Sequence, residues 1–205
     1  MVVSLRILIA SLLAMIAVPA VAADVTVAVT DDSGRAVANA VVVIDAAGAR
    51  PAPRRFTISQ HDMMFMPEVL VVPLGSTVVF GNLDPFRHHV YSFSEPKKFE
   101  LKLFGQGEQR AVTFDKTGLV AIGCNIHDQM QGFIHVVDTP FAEKTDARGR
   151  LTLHGLPAGR HALRVWHARL RAPGHQLTLQ VDTGADRTVP VQVKLRAPSP
   201  AMTHY

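Results

Sequence analysis

Apolar and polar residues alternate with a period of two along most of the chain beyond residue 23. The stretch VTVAVT sets Val25, Val27 and Val29 on one face. HALRVW does the same with Leu163 and Val165, QLTLQV with Leu177, Leu179 and Val181, and TVPVQVKL with the positions from Val189 to Leu195. Successive side chains of a strand point to opposite faces, so this pattern predicts half-buried strands. The runs are short and are separated by Gly, Pro, Asp and Asn, which predicts antiparallel sheets packed face to face. No segment carries a long helical period, and the expected fold class is all-β. Pro190 falls on the polar face of its run, where a missing N–H suits an edge strand.

The first residues break this pattern. MVVSLRILIASLLAMIAVPAVAA carries one arginine (Arg6), then an apolar run, then a small-residue exit in which Ala20 and Ala22 form an A-x-A pattern. That order predicts a signal peptide over residues 1–23, cleaved after Ala22 or Ala23. The alternative, a permanent anchor, is disfavoured by Ser11 and Pro19 and by a run short of the roughly 20 residues a span needs. No second run of spanning length follows, so an exported, periplasmic chain with no membrane span after cleavage is expected.

Charge and cysteine content narrow the class. From Glu143 onward there are ten Lys/Arg against four Asp/Glu, whereas Ala52 to Pro140 has eight against nine. The basic C-terminal part reads as a solvated face rather than a docking surface, and no aromatic-basic interleaving suggests nucleic acid. A single cysteine, Cys124, cannot form an internal disulfide, so in an oxidising compartment it is expected to be buried, paired with another chain, or bound to metal.

The outer segments VTVAVTDDSGRAVANAVVVID and KTDARGRLTLHGLPAGRHALRVWH share turn signals. Asp31 to Gly34, Asn39 to Val42, Thr145 to Gly149 and Leu156 to Gly159 carry them, with His161 following the last. Together they resemble the two halves of a carboxypeptidase regulatory-like (transthyretin-like) domain, in which Tyr is usual at the place of His161. The resemblance implies that residues 24–51 and 141–196 are two parts of one small β-sandwich, with residues 52–140 inserted between them and a disordered tail over 197–205. The alternative is a short N-terminal strand added to the middle domain, followed by a separate C-terminal domain.

The chemistry is concentrated in the middle. GCNIHDQM places a thiol, an imidazole and a thioether at Cys124, His127 and Met130, and RHHVYSFS supplies adjacent histidines at 88 and 89. A thiolate, two imidazoles and a weak thioether form the donor set of a blue-copper electron-transfer centre. Cys124 or Met130 alone would read as core filling, but the spacing after the strand-like LVAIG favours ligation. Zinc is the rival metal, yet its structural sites use several cysteines and no methionine. His61, Met63, Met64 and Met66 form a second Met-His cluster, read as core because Phe65 lies on an inward-facing strand. His135, His154, His161, His167, His175 and His204 are read as structural.

Residues 54–138 resemble a cupredoxin of the amicyanin, plastocyanin and pseudoazurin kind, and the proteins loosely labelled methylamine utilisation proteins. Phe65, Pro67, Gly75, Val78, Phe80, Asn82, His88, Val90, Gly118, Cys124, His127, Met130, Gly132, Ile134 and Val136 carry the match. The resemblance implies a Greek-key β-sandwich with one type 1 copper ion on His88, Cys124, His127 and Met130. Relatives usually have Asn or Ser at the place of His89 and often Pro at the place of Ile126, so this chain departs from them at both. Adjacent strand residues face opposite ways, so only one of His88 and His89 can reach the metal; Val90 shares the face of His88, and Asn82 stands at the amicyanin spacing before it. Asn125 and Asp128 are expected to orient the loop by bonds to backbone.

No Gly-x-Ser-x-Gly elbow, paired carboxylates, phosphate-binding glycine loop or His-x-His pair occurs. The expectation is therefore a monomeric, non-enzymatic carrier of single electrons between periplasmic redox proteins. Two alternatives stand beside it: a copper storage or delivery protein, and an envelope binding module with a structural copper site.

Overall fold

The computed structural model describes residues 22–198. Of the signal peptide predicted over residues 1–23, residues 1–21 lie outside the described residues, while Ala22 and Ala23 belong to the first strand; of the tail predicted over 197–205, residues 199–205 lie outside. The strands, in chain order, are β1 (Ala22–Asp31), β2 (Val41–Ile44), β3 (Arg55–His61), β4 (Met64–Met66), β5 (Val69–Pro73), β6 (Thr77–Asn82), β7 (His88–Ser92) and β8 (Phe99–Phe104). They continue with β9 (Gln109–Thr113), β10 (Gly118–Gly123), β11 (Gln131–Val137), β12 (Ala142–Lys144), β13 (Arg150–Pro157), β14 (Arg160–Trp166), β15 (Gln176–Asp182) and β16 (Arg187–Val193). Helix is confined to one 3-10 turn, Pro173–His175, among the described residues, and none there is long and apolar enough to cross a membrane. The fold is all-β.

The strands form four sheets, ordered β13-β1-β16, β12-β2-β14-β15, β5-β11-β10-β7-β8 and β4-β3-β6-β9. The first two use only strands before residue 45 and after residue 141; the other two use only strands between 55 and 137. Each pair of sheets encloses its own apolar cluster. Val25, Val27 and Val29 of β1 meet Val42, Ile44, Leu163 and Val165 in one. Ile58, Phe80, Val90, Phe104, Ile122 and Ile134 meet in the other, together with Cys124 and Met130. The predicted alternation is observed along β1, whose valines are buried at every second position. Pro190 lies on β16, an edge strand.

Three of the four sheets are mixed, whereas β12-β2-β14-β15 is antiparallel throughout. β1 pairs with β16, β3 with β6 and β5 with β11, all in parallel. Parallel neighbours need a crossover, and hydrophobic alternation carries no information on strand direction. The period also decides the β4 residues: Phe65 is buried, so Met64 and Met66 on either side of it point outward and are 41% and 48% exposed. The core reading of those two methionines is thereby corrected.

A D-x-x-G turn closes on itself in each of the first and last parts of the chain, and Val29 N–H donates to the Gly149 carbonyl between them. Asp31 Oδ1 accepts the N–H groups of Ser33 and Arg35, and Asp146 Oδ1 accepts those of Arg148 and Arg150. Gly149 (φ +71°) approaches β1 so closely that a Cβ would lie 2.4 Å from the Val29 carbonyl oxygen. A third apolar patch of Val41, Val43, Val69 and Trp166 connects the two pairs of sheets. There Trp166 packs edge-on against Phe133 and His135, at ring separations of 5.0 and 4.4 Å.

Candidate metal centre

Two loops bring the predicted donors together. The first connects β6 to β7 and is organised by Asn82, which is buried. Its Nδ2 donates to the carbonyls of Phe86 (2.7 Å) and Phe104 (3.0 Å), and its Oδ1 accepts Asp84 N–H (2.9 Å). A buried amide with these three bonds satisfied leaves the loop one way to run. The second loop, residues 124–130, connects the antiparallel β10 and β11, and it closes on itself. Cys124 N–H donates to the Met130 carbonyl (3.2 Å) and Met130 N–H to the His127 carbonyl (2.9 Å). Among the described residues no side-chain hydrogen bond from Asn125 or Asp128 contributes; main-chain bonds hold the loop.

His88, Cys124 and His127 converge, with one donor atom from each within 4.8 Å of the others. Cys124 Sγ lies 3.9 Å from His88 Nδ1 and 3.9 Å from His127 Nδ1. Bonds of about 2.3 Å to sulfur and about 2.0 Å to nitrogen, opened to about 120°, separate such donors by roughly 3.8 Å, so the spacing suits one shared ion. His88 and Cys124 are buried and His127 is half-buried. Met130 is buried in the same apolar cluster as Cys124, and lines a small depression with His127 and Met63.

His89 stands apart. Its Nε2 faces Glu100 Oε1 at 3.0 Å and its ring packs 5.7 Å from Tyr91. The strand alternates as expected here, despite a register shift against β8 between His88 and Val90.

Asp84 was not foreseen from the sequence. Its Oδ2 accepts the His88 Nε2–H at 2.6 Å, with both side chains buried. A carboxylate there holds the proton on Nε2 and leaves the Nδ1 lone pair facing Cys124. Burial alone would raise the Asp84 carboxyl. The bonds from His88 and from the N–H groups of Met63 and Asp62 outweigh it and hold the group below its ordinary range. The available signal was an acid four residues before a candidate ligand, in a turn-forming DP step. Burial, and then the neighbouring His88, lower the pKa of His127, which favours the neutral, lone-pair-bearing ring.

No family model matches the chain. No curated protein matches it either. Among solved structures it is similar to a Cu-containing nitrite reductase (NirK) from Thermus scotoductus SA-01, at 28% identity and a TM-score of 0.40 over 54% of this chain. The chain spans only 28% of that reductase's length. It is also similar to a purple cupredoxin from Nitrosopumilus maritimus, at 22% identity and a TM-score of 0.37, over 40% of this chain and 98% of that one. A third similar structure is that of a reduced amicyanin mutant, at 18% identity and a TM-score of 0.39, over 47% of this chain and 98% of that one.

The donor set sits under an apolar rim. The Phe86 ring lies 5.1 Å from that of His88 and 5.5 Å from that of His127. Leu83, Phe86 and Ile126 are all exposed. A thiol and two imidazoles, gathered in a largely apolar setting, form a donor set that suits a soft or borderline metal.

Proposed function

We propose that the chain is an exported carrier of single electrons that holds one copper ion through His88, Cys124 and His127, with Met130 as the weak fourth donor. The observation that carries this reading is the placement of Cys124 Sγ at equal 3.9 Å separations from two imidazole Nδ1 atoms, in a buried apolar setting. Bound there, copper would supply a one-electron couple, because this mixture of thiolate, thioether and imidazole serves both of its oxidation states. The protein's part is to fix the donors and exclude water. Asp84 clamps His88 from behind, the main-chain bonds of residues 124–130 hold the other three donors, and Phe86 covers the imidazoles. His127 is the least buried of the three converging donors, so a redox protein docking on the Leu83, Phe86 and Ile126 rim would meet the site at that ring.

The Arg6-led apolar start supports export to the periplasm. The sheets built only from strands before residue 45 and after residue 141 support a cupredoxin-like unit inserted within a regulatory-like sandwich. The copper-loaded chain tests the function: an intense visible band in the oxidised form, bleached reversibly by one electron, is expected. A colourless oxidised protein would rule the reading out.

A second reading, copper delivery, draws on Met64 and Met66, which lie exposed on β4, and on Met63, which lines the same depression as His127. Fast transfer of Cu(I) to a chelating acceptor, slowed in a Met64→Leu/Met66→Leu chain and paired with poor electron exchange, would favour it.

A further inference from the structure

The two pairs of sheets meet across a cavity of about 280 Å3. Alternation supplies its walls. Val42, Ile44, Leu163 and Val165 turn into one core, so Val41, Val43, Arg164 and Trp166 stand on the outer face of the paired strands β2 and β14. Val120, Ile134 and Val136 turn into the other core, which leaves Leu119, His135 and Val137 on the outer face of β10 and β11. These two outer faces enclose the space.

Three buried polar atoms around it have no partner. Among the described residues, five buried side-chain nitrogen or oxygen atoms lack a hydrogen bond, and His135 Nε2, Arg164 Nε and Trp166 Nε1 all belong to this cavity. His135 is 9% exposed and Trp166 4%. Their rings stand 4.4 Å apart, edge to face, without bonding each other, and the Arg164 charge is near enough to act on His135. An indole Nε1 and a guanidinium Nε can only donate, and a neutral imidazole donates from one nitrogen. Buried donors without an acceptor are costly, so three gathered at one cavity point to an acceptor that the chain itself does not supply.

A carboxylate is the acceptor that fits. It offers lone pairs and no proton, and its charge complements Arg164. Arg164 Nη2 is held on Asp45 Oδ1 at 2.6 Å, which anchors the head group and leaves Nε without a partner. With 39% of its side chain exposed, Arg164 marks the side on which the cavity opens to solvent. Asp138, the one carboxylate in the lining, faces Arg50 at 3.6 Å instead. One water takes about 30 Å3, so the space holds far more than a single water. The walls of Val41, Val43, Leu119 and Val137 call for an apolar body behind the charged group.

We infer that the cavity between the two pairs of sheets is a binding site for a small organic carboxylate, whose oxygens accept from Trp166 Nε1, Arg164 Nε and His135 Nε2. Its apolar body lies against the valines and Leu119. None of the proposed copper donors lines the cavity, so the site stands with or without copper.

Trp166 is the chain's one tryptophan, and its fluorescence therefore reports on this cavity. The test titrates cyclohexanecarboxylate, which does not absorb in the tryptophan band, into the full chain, with calorimetry for stoichiometry. Saturable binding of one molecule per chain with a change in Trp166 emission is expected, weakened at least tenfold by His135→Leu and by Arg164→Met. In the isotope-labelled parent chain, the nuclear magnetic resonance signals of the Trp166 indole N–H and the Arg164 Nε–H should both move, with the calorimetric midpoint. Cyclohexylmethanol, the same body without the carboxylate, should bind at least tenfold more weakly. Absence of binding heat with both N–H signals unmoved would mean that the cavity takes water alone, and overturns the site. Binding that leaves those two signals fixed lies elsewhere on the chain and overturns it equally. Equal affinity for the alcohol overturns the choice of a carboxylate. Because the N–H signals are read in the parent chain, the outcome does not depend on either variant folding.

Discussion

His88 Nε2 donates to Asp84 Oδ2 over 2.6 Å, with neither side chain meaningfully exposed to solvent. A bond of that kind fixes which ring nitrogen carries the proton and where the other one points. Asp84→Ala should therefore lower copper affinity by about 10- to 100-fold, the usual cost of losing a partner behind a metal-binding histidine. Asp84→Asn, which still accepts through its amide oxygen, should recover part of it. Competition with a chromophoric Cu(I) chelator measures both.

His88 and His89 are neighbours with opposite surroundings, one facing Cys124 and the other Glu100. His88→Ala is expected to abolish the visible band of the copper-loaded chain. His89→Ala should keep the band and change only potential or partner exchange. A colourless His89 variant beside a coloured His88 variant would reverse the assignment.

Met130 is buried with Cys124, and its main-chain groups close the loop whatever its side chain. Met130→Leu should thus retain copper and shift the midpoint potential, since a weak axial thioether tunes more than it anchors. Voltammetry beside a metal count checks it; loss of all copper would show that the thioether anchors the ion.

Gly149 and Gly34 occupy equivalent D-x-x-G turns at φ +71° and +80°, yet only Gly149 meets backbone where a Cβ would go, at 2.4 Å from the Val29 carbonyl oxygen. Gly34→Ala bears the left-handed strain alone, about 1 kcal/mol. Gly149→Ala adds a clash with backbone that cannot step aside, and should cost on the order of 3 kcal/mol or prevent folding. Urea unfolding of the two variants compares them.

His135 is buried against Trp166, and burial first, then Arg164, lowers its pKa to about 4. The folded ring stays neutral where the unfolded one takes a proton. Stability from this group is present above pH 6.5 and is lost as pH falls from there toward about 4, by at most roughly 3 kcal/mol. His135→Leu should flatten the fall in stability between pH 7 and pH 5, measured by denaturant titration at each pH.

Much of this could be read from local pattern. Three of the four proposed donors lie within the seven residues 124–130, and a loop that short between paired strands holds them near one another in any fold that forms the strands. Alternation placed Val25, Val27 and Val29 inside, and separated His88 from His89, because the period of a strand is a property of its backbone. The same rule, applied residue by residue, also puts Met64 and Met66 opposite Phe65, on the outward face.

Alternation specifies which side chains share a face, but it is the same for either strand direction and for any order of strands. The parallel pairings of β1 with β16 and β3 with β6 therefore depended on the folded chain. So did the meeting of the Asp62–Met63 turn with Asp84, across about twenty residues of sequence, and the packing of His135 on Trp166 across about thirty. Such contacts leave no period in the sequence; they arise only when separate hydrophobic faces are buried together and the polar groups carried in with them must find partners.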